Sequence, residues 1–534
     1  TAGITTVQAL QATSGTFSSD ITVNSATVGR GANSVAGNTV LGELALDAAV
    51  TGNSNTAIGY QSLTDHTTGD NNTAIGRASL QSNTTGGNNT AVGQGSLNAN
   101  TTAANNNAFG RAALATNTTG TQNAAFGTLS LNQTTIGNNN AGYGHYTLYS
   151  NTTGSQNVAV GAFALDANTT ANSNTAIGYN ALTSNTTGTE NTAVGKASLE
   201  ANTTANYNTA LGNGSLQDNV TGSNNTAIGR NVLRDNLGSN NTGVGMNAME
   251  RMTTGDSNTA MGQNALFANT TGQYNVAIGR QALDSNTTAS NNTALGYRAL
   301  ESNTTAQRNT AVGSGALDSV TTGENNVAVG YNAGASYATG GQSTFIGRET
   351  GGTGGSGVTA IGYFACANTT ADNTLGIGYQ ALKENTSGGD NIAVGNNALD
   401  ANTTGSSNTA VGRNALGANT TADNNTALGL SALAANTTGS GNTAVGKGAL
   451  PANTTGDNNV AVGKDAMQDN TTGIQNTALG QNALADNTTA DDNTAVGYKA
   501  LRLNTTGTQN VAVGAFALDA NTTTNSCTAV GYNA

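Results

Sequence analysis

Apolar and polar positions recur along this chain with a constant period. Gly59, Gly76, Gly93 and Gly110 are each 17 residues apart, and the spacing continues with few breaks to Gly531. Each block holds a short run, Thr-Ala-Ile/Val-Gly, then an apolar pair, Ala/Ser-Leu, and then the polar turn Asn-Thr-Thr-Gly. Helical repeats need about 33 residues or more, so the block is too short for a helix pair. The pattern predicts an all-β fold, a parallel β-solenoid (β-roll) of about thirty coils with two short strands per coil.

Stacked coils would align equivalent residues in columns. The expected internal columns are Ile58, Ile75, Val92 and Phe109, and then Leu63, Leu80, Leu97 and Leu114. Side chains alternate faces along a strand, so Ala74 and Gly76 would share the face opposite Ile75. Their small size suggests the close approach of a neighbouring surface, such as another chain. The column of Asn83, Asn100 and Asn117 predicts a ladder of side-chain amides.

Composition narrows the class of protein. A chain of 534 residues would ordinarily be expected to form about three or four globular domains, but contacts in a solenoid are local and the repeat overrides that expectation. The core of each coil is thin, and packing of several chains would add burial. The net charge is −12, which argues against nucleic acid and anionic lipid as partners. No apolar run is long enough to span a bilayer, so we predict no membrane insertion.

Breaks in the repeat divide the chain into four segments. Residues 1–37 lack the Asn-Thr-Thr turn, and the alternation from Thr16 to Val28 predicts an N-terminal β cap or connector. Regular coils are expected over 38–330 and 379–534. Residues 331–378 contain shortened coils and a Gly-rich stretch, which we interpret either as a tolerated irregularity or as a joint or docking site. The repeat is interrupted at Ala534, and we expect the solenoid to continue beyond it.

The sequence offers few candidates for chemistry. His66 and His145 have no Cys or acidic residues at ligand spacing, and we interpret both as surface substitutions. Cys366 and Cys527 are many coils apart, so we expect two unpaired thiols. Turn acids such as Asp70 are interpreted as solvated carboxylates rather than calcium ligands. We interpret the abundant Asn-x-Thr sequons as ladder and turn residues, and we predict no metal, no cofactor and no active site.

One variable column suggests a contact surface. The residue after the repeat Gly is often Tyr or Arg, the residue types that favour interfaces. Its large members are Tyr60, Arg77, Arg111, Tyr179, Arg230, Arg280, Tyr297, Tyr331, Arg348, Tyr363, Arg413 and Tyr498. This column is either a contact face for another chain or receptor, or a solvent-facing column where large residues are harmless.

The sequence of the repeat resembles that of a known family. Asn71-Asn72-Thr73-Ala74-Ile75-Gly76-Arg77-Ala78-Ser79 is similar to the head repeat of trimeric autotransporter adhesins, approximately Asn-Ser-Val-Ala-Ile-Gly-x-x-Ser. Related arrays occur in phage tail fibres, and the opening from Asp20 to Gly31 looks more like that setting. The resemblance covers about half of each repeat. It implies a left-handed parallel β-roll, a homotrimer and an extracellular or virion-surface rod. The added Leu column and Asn-Thr-Thr-Gly turn depart from the adhesin head.

These observations predict a structural and adhesive fibre shaft, such as a phage tail fibre or surface filament that spaces a receptor-binding tip from its base. Its partners would be two further copies of itself and a host cell-surface glycan or protein. The alternatives are a bacterial trimeric surface adhesin, a solenoid that binds ice or crystal surfaces through stacked Thr residues, and a polysaccharide-cleaving tailspike.

Overall fold

A computed structural model describes residues 20–534, and over these residues the chain is a parallel β-solenoid with almost no helix. The chain divides into two compact units, up to Asn240 and from Asn241. The strands of the first unit are β1 (Ile21–Val23), β2 (Ala26–Gly29), β3 (Thr39–Gly42), β4 (Thr56–Ile58), β5 (Thr73–Ile75), β6 (Thr90–Val92), β7 (Asn107–Phe109), β8 (Ala124–Phe126), β9 (Ala141–Tyr143), β10 (Val158–Val160), β11 (Thr175–Ile177), β12 (Thr192–Val194), β13 (Thr209–Leu211) and β14 (Thr226–Ile228).

The second unit repeats the same element. Its strands are β15 (Thr242–Val244), β16 (Thr259–Met261), β17 (Val276–Ile278), β18 (Thr293–Leu295), β19 (Thr310–Val312), β20 (Val327–Val329), β21 (Thr344–Ile346), β22 (Thr359–Ile361), β23 (Leu375–Ile377), β24 (Ile392–Val394), β25 (Thr409–Val411), β26 (Thr426–Leu428), β27 (Thr443–Val445), β28 (Val460–Val462), β29 (Thr477–Leu479), β30 (Thr494–Val496), β31 (Val511–Val513) and β32 (Thr528–Val530).

An antiparallel hairpin precedes the first coil. β1 pairs with β2, and β2 pairs antiparallel with β3, which then pairs parallel with β4. A short 3-10 turn, Ala32–Ser34, connects β2 to β3. β2 therefore occupies the strand edge of the first coil, an edge that would otherwise offer free backbone groups to another chain. Thr16 to Ser19, the start of the predicted β segment, lie outside the described residues.

Each coil has one strand, and the prediction of two is wrong. The second apolar pair lies in a tight turn, where Ala78 and Leu80 have φ angles of 54° and 47°. Between them, Ser79 donates its hydroxyl to the Gly76 carbonyl at 2.9 Å. The Leu80 side chain is fully buried, and its backbone N–H reaches the Ser96 carbonyl of the next coil at 3.0 Å. The turn thus points Leu inward while the backbone keeps its bond to the neighbouring coil.

The predicted Leu column is confirmed as internal, but the predicted Ile/Val column is outside. Ala74 is fully buried, whereas Ile75 is 37% exposed. The coil encloses little space, and Leu80 already fills most of the room opposite the strand. The strand can therefore turn only a methyl group inward, and the larger side chain faces outward. The constant Ala accommodates the chain's own Leu column, so it cannot lie at a contact with another chain.

Position 76 requires glycine because the next coil lies very close to it. Its φ angle is +130°, which other residues resist, and a Cβ there would lie 2.6 Å from the Gly93 carbonyl oxygen. The repeat Gly, also at Gly59 and Gly93, is therefore explained by stacking between coils of one chain.

Two amide ladders complete the interior. The predicted one is confirmed: Asn100 donates its Nδ2 to Asn83 Oδ1 at 2.8 Å and to the Ala103 carbonyl at 3.0 Å. A second ladder was missed. Asn89 donates its backbone N–H to Asn72 Oδ1 at 3.0 Å and its Nδ2 to the same Ala103 carbonyl at 2.9 Å. These Asn side chains are fully buried, so the interpretation of the Asn83 sequon as a ladder residue is confirmed.

The irregular segment 331–378 rebuilds the coil interior with other side chains. Strand pairing continues through it, from Val327 opposite Thr344 to Thr359 opposite Leu375. Phe345 takes the position of the constant Ala and is fully buried. The Leu positions that precede and follow Phe345 along the chain are correspondingly Gly334 and Gly351. A Cβ on Gly334 would lie 2.8 Å from the Phe345 ring, and one on Gly351 would lie closer still.

Tyr337 replaces an Asn of the first ladder in the same segment. Its hydroxyl is 2.7 Å from Ser343 Oγ and also bonds the Gly355 carbonyl. Its ring packs edge-on against Phe345 at a centroid distance of 4.8 Å. The segment therefore keeps the volume and the hydrogen bonds of the interior while changing the residues that supply them.

The left-handed turn predicts an unusual order of tolerance at Leu80. The same column holds Met249 and Met467 at φ angles of 52° and 48°, and no Val, Ile or Thr from Leu46 to Leu518. We expect Leu80→Met to cost less than about 1.5 kcal/mol. Leu80→Ile, of equal volume, is expected to cost about 1–2 kcal/mol more, because a branched Cβ clashes at positive φ. Equal urea midpoints for the two variants of the full chain would contradict this account.

The two ladders are expected to differ in strength. Asn89→Ala removes the acceptor of the buried Asn106 backbone N–H, whereas Asn100→Ala removes only bonds to side chains and to the shared Ala103 carbonyl. A buried N–H that has lost its acceptor lowers the free energy of unfolding by about 1–3 kcal/mol. We therefore expect Asn89→Ala to be more destabilising by that amount. Thermal unfolding of both variants checks this, and a larger loss for Asn100→Ala would refute it.

Candidate contact surface

Three columns of side chains form the outward surface beside each strand. Thr73 and its equivalents form the threonine column, and Ile75 and its equivalents form the aliphatic column. Two residues further on, beyond the repeat Gly, Arg77 and its equivalents form the contact column. Equivalent residues stack closely, since the rings of Phe109, Phe126 and Tyr143 lie parallel with centroids 4.7 and 4.8 Å apart.

The aliphatic column is an apolar stripe with one side chain per coil. Ile177 is 39% exposed, Leu211 46% and Leu428 45%. Contiguous exposed apolar surface of this kind is typical of interaction sites. The sequence contained the signal: the residue before the large aliphatic is almost always Ala, which is what a narrow interior requires of an inward-facing residue.

The structure places every predicted contact residue in the contact column, and all are exposed except Tyr363, which is half-buried. This column also concentrates positive charge. Of the 17 Lys and Arg residues, nine belong to it: Arg77, Arg111, Lys196, Arg230, Arg280, Arg348, Arg413, Lys447 and Lys464. From Tyr60 onward it contains no acidic residue, although the chain as a whole is acidic.

Neighbouring members of the contact column touch one another. The Arg348 guanidinium lies over the Tyr331 ring at 5.7 Å and over the Tyr363 ring at 5.6 Å. Arg280 lies over Tyr297 at 5.8 Å, and Tyr363 stacks on Tyr379 with centroids 5.5 Å apart. Cation–π contacts at exposed sites are worth about 0.5–1 kcal/mol each. They fix these long side chains in place, so the column has a defined shape along 280–379.

Carboxylates lie on a different part of the coil, five residues after the repeat Gly. Asp166, Asp284, Asp318 and Asp400 occupy this position. Partial burial removes water from these groups and raises the pKa of each. For Asp318, the nearby Arg298 opposes that rise in pKa.

Turn acids bond to the neighbouring coil rather than standing free. Asp70 accepts the Asn53 backbone N–H at 2.8 Å, and Asp457 accepts that of Ser440 at 2.7 Å. Among residues 20–534, no three His, Cys, Asp or Glu side chains gather as metal ligands would. No helix in the same residues is long and apolar enough to cross a membrane.

The two histidines have different environments. His66 is fully buried in the first amide ladder, so its interpretation as a surface residue is wrong. Its Nε2 lies 2.7 Å from the Gly69 carbonyl and its Nδ1 lies 3.0 Å from Asn83 Nδ2. Burial lowers the pKa of His66. His145 is exposed in the contact column, as expected.

The two cysteines are free, as predicted. Cys366 takes a Leu position and is fully buried, which raises the pKa of its thiol to about 12. A thiol that stays protonated at neutral pH is a poor nucleophile. We therefore assign Cys366 to packing.

Comparison with known proteins adds no identification, since no protein-family model and no curated protein matches this chain.

Raised carboxylate pKa values predict that mild acid stabilises the fold. The folded state binds protons more tightly than the unfolded state at Asp166, Asp218, Asp284, Asp318, Asp400 and Asp486. This contribution is complete below the unfolded pKa of 3.8 and is lost as pH rises through the raised values. We expect the melting temperature to rise as pH falls from 8 towards about 4.5. Protonation of His66 opposes this trend, because its pKa is lowered.

Asp284→Asn isolates one of these groups. Neutralising a partly buried carboxylate is expected to raise the melting temperature at pH 8 and to flatten its pH dependence. Asp492→Asn, in an exposed turn, is the matched control and is expected to change little. A drop in stability for Asp284→Asn at pH 8, with the control unchanged, would contradict the assignment.

Proposed function

We propose that the chain is the shaft of a structural and adhesive fibre, of the kind found in phage tail fibres or bacterial surface filaments, exposed on a virion or outside a cell. The observation that carries this proposal is the uniform register: strand follows strand at the same three positions, and each coil presents the same outward columns. Such a fold extends in one direction and repeats one surface, which suits spacing and multivalent contact better than catalysis. We infer no enzymatic activity, no cofactor and no binding of nucleic acid or membrane.

A homotrimer accounts best for the exposed aliphatic column. The apolar interior of one chain is little more than one Leu and one or two Ala per coil, while a larger apolar side chain on each coil faces outward. Chains that pack side by side would cover this stripe along its whole length. The interface would then use the threonine and aliphatic columns, in place of the Ala74 and Gly76 columns expected from sequence. The resemblance to trimeric autotransporter adhesin repeats supports an assembly of three chains.

The assembly is tested by sedimentation of the full chain. We expect a species of three times the chain mass of 52.7 kDa. Replacing Ile75, Ile177 and Leu211 together with Lys is expected to release monomer, because unpaired charges would be buried at the interface. Lys at Thr85, Thr187 and Thr221, exposed in the turns of the same coils, is the matched control. A folded, soluble monomer for the unmodified chain would refute the trimer.

The shaft role itself is tested by electron microscopy. We expect thin straight particles of uniform width, about 140 Å long for about thirty coils at 4.8 Å each. Compact round particles would contradict a shaft, whatever the number of chains. Release of fragments from bacterial polysaccharide would contradict the absence of enzymatic activity.

The outward Thr column favours one alternative, a protein that binds ice or crystal surfaces. A lattice-matching surface needs an unbroken array. This column is interrupted over four successive coils by Asn107, Ala124, Ala141 and Val158. A second set of threonines lies in the Asn-Thr-Thr turns. There, Thr84 donates its hydroxyl to the Thr101 carbonyl at 3.1 Å. The surface therefore supports this function less well than a fibre shaft, and a thermal hysteresis measurement decides between them.

A further inference from the structure

The contact column has three places where a small residue separates two aromatic rings. Ala162 lies between His145 and Tyr179, Ser314 lies between Tyr297 and Tyr331, and Ala515 lies between Tyr498 and Tyr532. At each of these places the column has a gap one coil wide. The residue that follows the small one decides whether the gap stays open.

Two of the three gaps are filled by the chain's own aromatic side chain. Phe163 follows Ala162, and its ring lies 5.6 Å from His145 and 6.1 Å from Tyr179, edge-on to both. Phe516 follows Ala515, and its ring lies 5.3 Å from Tyr498 and 6.0 Å from Tyr532 in the same arrangement. A six-membered ring between two aromatic walls is thus a stable filling of this gap, and the chain uses it twice.

The third gap is open because the equivalent residue is Gly315. A cleft remains here, with Ser314 and Gly315 as its floor and with Tyr297 and Tyr331 at its two ends. We call it the tyrosine slot. Arg298, Asp318 and Asn332 also line it.

Arginines hold both walls of the tyrosine slot from outside. Arg280, one coil before Tyr297, lies over that ring, and Arg348, one coil after Tyr331, lies over the other. Along the column, both arginines lie on the far side of their tyrosine from Ser314. They therefore restrain the two rings without a ligand and leave the space between them open.

The width of the slot favours a puckered ring over a flat one. Rings of the aliphatic column on successive coils are 4.7 and 4.8 Å apart, which sets the spacing of equivalent atoms two coils apart at about 9.5 Å. Carbon atoms in contact lie about 3.5–4.0 Å apart, which leaves a thickness of roughly 2 Å for a ring that touches both walls. A saturated chair with its axial hydrogens has that thickness. A flat aromatic ring reaches both walls only when it stands edge-on to them, as Phe163 and Phe516 do in the equivalent gaps. A chair can instead present C–H groups to both ring faces at once.

Polar groups at the edge of the slot match the rim of a sugar. The Arg298 guanidinium pairs with Asp318 at 3.5 Å and also bonds Glu301. Asn332 adds an amide. A pyranose has C–H groups on its faces for the tyrosine rings and hydroxyls on its rim for carboxylate, guanidinium and amide groups. A few polar groups beside apolar walls is the usual composition of a small-ligand site.

From this arrangement we propose that the tyrosine slot binds a pyranose ring of a neutral glycan, sandwiched between Tyr297 and Tyr331 with its hydroxyls on Arg298, Asp318 and Asn332. The site is independent of the number of chains in the fibre and of its role as a shaft. Over residues 20–534 it occurs once, since the two equivalent gaps are closed by Phe163 and Phe516.

The chain itself suggests the variant that closes the slot, Gly315→Phe. Gly315 has a φ angle of 67°, and Phe163 and Phe516 adopt 60° and 59° at the equivalent positions. A Cβ on Gly315 would clash with Asn332 Oδ1, so the Asn332 side chain has to rotate in this variant. The next coil also places an Asn beside Phe163 and beside Phe516, and there the coil accommodates both side chains. Gly95→Phe is the matched control, because Gly95 has the same position and a φ angle of 66° but no tyrosine on either side.

Binding is measured by saturation-transfer NMR on the full chain with millimolar trisaccharides of glucose, galactose, mannose and N-acetylglucosamine, and with phenylalanine amide as a flat-ring probe. We expect transfer to the ring protons of at least one trisaccharide, its loss in Gly315→Phe, and its retention in Gly95→Phe. Tyr331→Ala, which removes one wall, is expected to reduce the transfer several-fold. Unchanged melting curves establish that each variant is folded.

Three results would overturn the proposal. The first is no transfer to any trisaccharide by the unmodified chain. The second is transfer that survives Gly315→Phe, which would place binding elsewhere on the repeat surface. The third is slot-dependent transfer to phenylalanine amide alone, which would assign the slot to a flat aromatic ring. None of these outcomes affects the particle shape or mass that test the fibre proposal.

Discussion

The close stacking of one coil on the next is the constraint on which the rest of this fold depends. Backbone bonds join each coil to the next at points all around it, as between Thr73 and Asn89, Leu80 and Ser96, and Thr84 and Thr101. Each hydrogen bond contributes only about 0.5–1.5 kcal/mol, but the pattern repeats in every coil. Any residue that blocks this approach is costly at each step, which explains the invariant Gly at one corner. The absence of β-branched residues at the Leu position has another cause, the positive φ angle there.

A narrow interior follows from so short a coil. It is filled by one Leu, the strand Ala, a second small residue that is Ala in most coils and Ser in several, and two buried Asn side chains. The Asn pairs are as much a part of the core as the Leu, since their amides bond to the next coil and share a carbonyl within their own. The irregular segment demonstrates how full this space is. Phe345 fits into the interior only because Gly334 and Gly351 replace the two Leu residues that would otherwise occupy the same space.

Much of the fold could be predicted from the sequence, because the constant spacing of the repeat Gly, the Leu column and the Asn column each have one simple structural cause. Which face of the strand points into the coil could not be predicted. Alternation indicated that Ala74 and Ile75 face opposite ways, but which of them faces inward depends on the size of the interior, and hydrophobicity alone favours Ile. The second amide ladder was missed because Asn72 and its equivalents, which directly precede the strand run, were not recognised as a column. The contact column was visible in sequence, whereas the tyrosine slot depends on which gaps the chain fills with its own Phe.

The central claim is that one small interior volume dictates which residues face inward, and core exchange tests it most directly. Ala91→Phe alone should overpack a coil and cost about 1–3 kcal/mol or more. Adding Leu80→Gly and Leu97→Gly copies the arrangement of Phe345 between Gly334 and Gly351, with the same spacings along the chain. Urea unfolding of the two variants is the measurement. The account predicts that the triple variant is the more stable of the two, and it is contradicted if Ala91→Phe alone unfolds at the same or a higher urea concentration.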